Sequence, residues 1–146
     1  MEIAPLSKNA ARQRVYRLPI RVYYEDTDAG GVVYYANYLK FAERGRTEWL
    51  RQTGFNQGAL LAERGLAFVV RSLQADYLGG AGLDDQLEVV TKIERLGGAS
   101  VVFNQTVENA GAVLFKTRIT IACVDWNSKK PAPIPQDIRD LMETSL

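Results

Sequence analysis

The chain has 146 residues, 18 basic and 17 acidic side chains for a net charge of +1, one cysteine and no histidine. That length is one domain with room for a core needing no disulfide or metal, and the near-neutral charge argues against nucleic acid as the main partner. Without histidine there is no Ser-His-Asp triad, Cys-His pair or HExxH zinc site, so acid–base chemistry falls to carboxylates, tyrosine, lysine or Cys123.

Residues 1–16 lack the apolar core of a secretory signal. Through Lys8, Arg12 and Arg14, with Arg17 just beyond and no acid after Glu2, they form a basic tail, either loosely docked or in contact with anionic lipid or an acidic partner. No apolar run reaches the roughly 18 residues of a membrane span, and a lone cysteine makes no internal disulfide. The expected location is cytoplasmic.

Residues 17–25, "RLPIRVYYE", alternate as a half-buried strand with Leu18, Ile20, Val22 and Tyr24 inward. Pro19 marks an edge or a strand start. "DTDAGG" breaks the pattern. From Val33 to Thr53 the period becomes helical: Tyr34, Tyr38, Phe41, Ala42, Gly45 and Trp49 make one stripe. Small residues at 42 and 45 predict a close-packed surface there, and Gly54 is the expected stop. A short helix over 56–65 follows. Segments 66–78, 85–96, 100–109 and 112–126 are rich in β-branched and aromatic residues and read as strands. "NAG" (109–111) turns the last hairpin, "NSKKPAPIP" leaves it, and "QDIRDLMETSL" forms a terminal helix. The class is α+β: five antiparallel strands wrapped around a long central helix.

The chemistry concentrates in "YYEDTDAGGVVYYANY" (23–38), where Glu25, Asp26 and Asp28 crowd together before that helix. A calcium loop starting at Asp26 fails at Gly30, where an oxygen ligand belongs, and at Asn37, where a glutamate belongs. "GGAGLDD" (79–85) has the wrong glycine spacing for a dinucleotide site. A polar strand-to-helix turn accounts for part of the pattern. A site is favoured by the Gly30–Gly31 pair, which permits close ligand approach, and by apolar "VVYY", which carries the chain into the core and leaves Asp28 at the rim of a cleft. Backbone N–H groups near Tyr34–Ala36 would also face a developing anion. A carboxylate beside such donors suits acyl transfer, as base for water or as nucleophile.

The block "VYYEDTDAGGVVYYANYLKFAERGRTEWLR" (22–51) closely resembles hotdog-fold thioesterases of the 4-hydroxybenzoyl-CoA thioesterase superfamily. It looks most like the branch encoded beside the Tol–Pal envelope system, and weaker likeness extends over 17–138. The resemblance implies a single domain over 17–146, dimers whose sheets join and which pair into tetramers, and peripheral association with the envelope. It implies acyl-CoA or acyl-carrier thioesters as substrates, with no cofactor or metal since coenzyme A is part of the substrate. It maps the catalytic carboxylate to Asp28 and the carbonyl-polarising N–H to Tyr35, with Gly31, Val33, Tyr34, Asn37 and Glu43 as substrate-binding candidates. Relatives often carry histidine in place of Tyr35, which leaves a backbone donor intact, and a proline-alanine pair in the region of "LGGAG". Asn37 is either an early helix residue or an orienter, and Glu43 either pairs with Arg46 or assists. Lys92, Arg95, Lys116 and Arg118 are candidates for the coenzyme A phosphates. A non-catalytic acyl-CoA sensor is the competing function. A hotdog dehydratase lacks its histidine here.

Overall fold

A computed structural model describes residues 15–144. Most of the basic tail lies outside the described residues. The elements in chain order are β1 (Tyr16–Arg21), a 3-10 turn (Tyr24–Asp26), α1 (Asn37–Gln52), α2 (Gln57–Arg64), β2 (Leu66–Tyr77), β3 (Gln86–Leu96), β4 (Ser100–Asn109), β5 (Ala112–Asp125) and α3 (Gln136–Glu143). The strands make one antiparallel sheet in the order β1-β3-β4-β5-β2. Helix α1 lies over β1, β3 and β4. This is the helix-in-sheet architecture expected from the sequence.

Alternation places the core. Leu87, Val89, Thr91 and Ile93 of β3 and Val101, Phe103, Gln105 and Val107 of β4 point inward, toward α1. Two apolar clusters result, one under the first turns of α1 around Tyr38, Phe41 and Phe115, the other under its last turns around Trp49, Phe103 and Ile138. Between them sits Gly45, where an added Cβ would lie 2.7 Å from Val89 Cγ1 and 2.8 Å from Thr91 Oγ1. The small residues of the stripe do mark the closest approach of helix to sheet. Cys123 packs beside Ile119 and Ile121, and burial pushes its thiol pKa up.

The two sheet edges differ. β1 is short and carries Pro19 with Arg17 and Arg21 exposed beside it, features that blunt an edge. β2 is 12 residues long, and its inward-facing Val70, Leu73 and Tyr77 remain 51%, 41% and 44% exposed. Their cross-strand partners Ile121, Ile119 and Phe115 are buried. Helix α1 does not cover β2, so a groove runs between them.

Three expectations are corrected. Strand β1 stops at Arg21, and Tyr24, expected inside, is 82% exposed because the 3-10 turn swings it outward. Helix α1 begins at Asn37, not near Val33, because Val33 is held extended by its bridge to Thr27 and by its N–H to the Ala81 carbonyl at 2.9 Å. Tyr34 therefore lies before the helix and is exposed. No helix among the described residues is long and apolar enough to cross a membrane.

Candidate active site

Residues 27–33 fold as a small hairpin. The Thr27–Val33 bridge closes it, the Asp28 N–H donates to the Val32 carbonyl at 2.9 Å, and the Gly31 N–H donates to the Asp28 carbonyl at 2.9 Å. Gly31 sits at φ +83°, a backbone region that favours glycine. This is the three-residue hairpin loop in which a tight turn is followed by a left-handed residue. Val32 bridges to Gly82, docking the hairpin on the 78–85 loop.

The acids divide sharply. Asp26 is 3% exposed. Its Oδ2 accepts the Tyr23 N–H and its Oδ1 accepts the Asn37 side-chain amide, both at 2.9 Å. Its backbone carbonyl takes the Tyr34 N–H at 2.9 Å. One buried residue thus ties the end of β1, the hairpin and the first residue of α1 together. Asn37, proposed for substrate, is turned toward this carboxylate and is itself buried. Asp28 instead stands exposed at the hairpin tip, its Oδ1 accepting the Gly30 N–H at 2.9 Å, which leaves Oδ2 unengaged among the described residues. The expectation was a carboxylate at the rim of a cleft, and the side chain is exposed to solvent. Glu25 is exposed.

Asp26→Asn leaves one acceptor oxygen for two donors, so its new N–H₂ faces either the Tyr23 N–H or the Asn37 amide. With a buried donor unsatisfied, it is expected to cost roughly 1–3 kcal/mol, read from chemical denaturation at unchanged m-value.

The backbone ahead of α1 supplies donors. The Asn37, Tyr38 and Leu39 N–H groups bond back to the Tyr34, Tyr35 and Ala36 carbonyls. The N–H groups of Tyr35 and Ala36 have no acceptor among the described residues. Tyr35 thus precedes the helix by two residues yet keeps an unspent amide at its N-terminus, where the helix dipole favours negative charge. Its ring contacts Tyr34 (4.9 Å between centroids) and Tyr77 (5.9 Å), joining the hairpin to the end of β2. Tyr38 lies beneath, stacked on Phe115 at 5.3 Å, its buried hydroxyl beside Ala81 and without a well-formed hydrogen bond.

One helical turn beyond Tyr35, a groove between α1 and β2 runs from Leu39 and Leu73 to Glu43, Arg46 and Val70, with a volume of about 340 Å³. Glu43 accepts the Thr47 hydroxyl and makes no ion pair with Arg46. Of the phosphate candidates, Arg118 is held by both oxygens of Glu94 at 2.7–3.0 Å, while Lys92, Arg95 and Lys116 are exposed.

A model of the Thioesterase-like superfamily matches residues 22–141. The chain belongs to this superfamily. It is 48% identical over 124 residues to the acyl-CoA thioesterase YbgC of Haemophilus influenzae, covering 85% of this chain and 91% of that one. It is 50% identical over 125 residues to the acyl-CoA thioester hydrolase YbgC of Escherichia coli O6:H1, covering 85% and 92%. Among solved structures, a probable thioesterase from Bartonella henselae superposes with a TM-score of 0.79 at 38% identity, covering 83% of this chain and 99% of that one. As a thioesterase-like chain it has the hotdog fold. The match takes in both the Asp28 hairpin and the groove. Sequence reasoning missed the anchoring role of Asp26 and the polar residues under α1, Gln105 above all.

Proposed function

We propose that the chain hydrolyses acyl-CoA thioesters, with Asp28 as general base for water or as nucleophile and the Tyr35 N–H polarising the carbonyl. One pairing of features supports this reading: a hairpin closed at Thr27–Val33 carries an exposed carboxylate at Asp28, and the strand leaving that hairpin runs into an unspent amide at Tyr35, just before α1. The amide would gain strength as the carbonyl oxygen becomes an oxyanion, which is transition-state and not ground-state binding. The names of the relatives from Haemophilus influenzae and Escherichia coli support the same substrate class.

A second copy of the chain completes the site. The long, apolar edge of β2 is suited to pair with its own copy, and such a dimer would roof the groove and enclose Asp28, Tyr34 and Tyr35. Pairs of these dimers make the tetramer expected of the family. Gly31 and Val33 act through the backbone, shaping the hairpin, while Tyr34 lines the mouth. Lys92, Arg95 and Lys116 are the exposed cations offered to the coenzyme A phosphates. The basic residues of the 1–16 segment give the protein, read as cytoplasmic, an electrostatic contact to anionic lipid at the envelope.

Thiol release from a panel of aliphatic and aromatic acyl-CoAs tests the reading. Turnover of at least one class above the buffer blank is expected. Tight acyl-CoA binding with no thiol release on any member would favour the sensor and remove the enzyme.

A further inference from the structure

A surface pair with Glu43 was one of two readings for Arg46, but the side chain is half-buried and held from below. Its Nη1 donates to Gln105 Oε1 at 2.9 Å. Gln105, 2% exposed, spends its amide nitrogen on the Ala42 carbonyl and the Thr91 hydroxyl, each at 2.8 Å. Both amide hydrogens are thereby used, so the oxygen is fixed toward the guanidinium. The sheet thus braces Arg46 through a core residue.

Two cavities meet at this side chain. The outer is the groove along α1, lined from Leu39 to Arg46 on the helix and by Leu73 and Val70 on β2. The inner, of about 130 Å³, lies under the last turns of α1, where Trp49, Phe68, Phe103, Ile121 and Met142 make its lining apolar. Glu43, Arg46 and Val70 are walls of both. Along the helix axis the nine steps from Asn37 to Arg46 span about 13–14 Å, which sets the distance from the start of α1 to the junction.

We propose that Arg46, braced by Gln105, determines acyl-chain specificity: the tail lies along α1 in the groove, and the guanidinium closes off the apolar pocket behind it. This rests on the thioesterase reading. A saturated tail passing Arg46 would strip the guanidinium of Gln105 and of water while offering it no acceptor, a costly exchange. Burial already works against the charge of Arg46, with Glu43 partly restoring it, so further desolvation is resisted. Chains that stop at Arg46 are accepted and longer ones rejected.

Arg46→Ala keeps a good helix former and joins the two cavities. Across straight-chain acyl-CoAs from acetyl to dodecanoyl, the kcat/KM optimum is expected to move up by two or more methylenes, each newly buried methylene adding about fourfold. Arg46→Met, which drops the bond to Gln105 but fills much of the space, should move it the same way by less, and serves if the alanine variant does not fold. Calorimetric binding of non-hydrolysable thioether analogues of the same chain lengths gives a readout independent of turnover. Wild type that binds the series with a cut-off the variants extend supports the gate even if no ester is hydrolysed, in which case the thioesterase reading alone has failed. Length profiles that are parallel in wild type and in a folded variant, by rate or by binding, overturn the gate.

Discussion

Asp28→Asn is expected to lower kcat for acyl-CoA hydrolysis by about 10²–10⁴, the range associated with a positioned acid–base group, while leaving the thermal transition where it is. The substitution is nearly isosteric. Asp28 is exposed, and its one side-chain hydrogen bond uses Oδ1 as acceptor for the Gly30 N–H, a role the asparagine oxygen keeps. The turn is further held by backbone bonds from the Asp28 and Gly31 N–H groups, which the change does not touch. What disappears is the negative charge and with it a base or nucleophile. KM should move little, since the acyl groove and the Tyr35 amide are intact. Equal kcat in wild type and variant would take Asp28 out of the mechanism. Single turnover in oxygen-18 water then addresses its role: label recovered in the Asp28 carboxylate marks attack by the side chain through an anhydride.

The contrast with Asp26 sharpens this test. The two aspartates stand two positions apart in the same motif, yet one is buried with both oxygens spent on donors and the other is exposed. The same Asp-to-Asn change should therefore cost stability at 26 and turnover at 28. A reversal of the two outcomes would exchange their roles.

Much of the fold was legible because each strand carries its own alternation and each turn its own glycine or asparagine. β4 reads Val101, Phe103, Gln105, Val107 on one face, and the structure buries all four. That register held the missed signal: a glutamine at an inward position needs partners, and these turn out to be Ala42, Thr91 and Arg46. Local pattern did not reveal the start of α1, because the tertiary contacts of Val33 with Thr27 and Ala81 override the helical spacing that begins there. Nor does a D-x-D spelling say which carboxylate goes inside; Asn37, eleven residues on, decides it. The uncovered edge of β2 was also hidden, because its apolar Val70, Leu73 and Tyr77 alternate as any inward strand face does, yet they are exposed.

Gly45→Ala is expected to destabilise the protein by roughly 1–2 kcal/mol, although alanine is the better helix former by about 1 kcal/mol. The opposing term is overpacking, typically about 1–3 kcal/mol, and the contacts place Gly45 toward the upper end. The new methyl would sit 2.7 Å from Val89 Cγ1, 2.8 Å from Thr91 Oγ1 and 3.1 Å from Gln105 Nε2. None of these yields cheaply. Val89 is fully buried and stiff at χ1, while the Gln105 amide nitrogen donates both to the Thr91 hydroxyl and to the Ala42 carbonyl. Relief therefore means lifting α1 off the sheet, which stretches the Gln105–Ala42 bond and loosens the brace under Arg46. Gly58→Ala in α2 is the control with the opposite sign. Its added methyl meets only Asn56 Oδ1, at 3.5 Å, and the position is exposed, so propensity alone acts. Differential scanning calorimetry should show the Gly45 variant melting several degrees lower, on the order of 5 °C, and the Gly58 variant melting at or above wild type. A Gly45 variant as stable as wild type would mean that helix and sheet are not in contact at this waist.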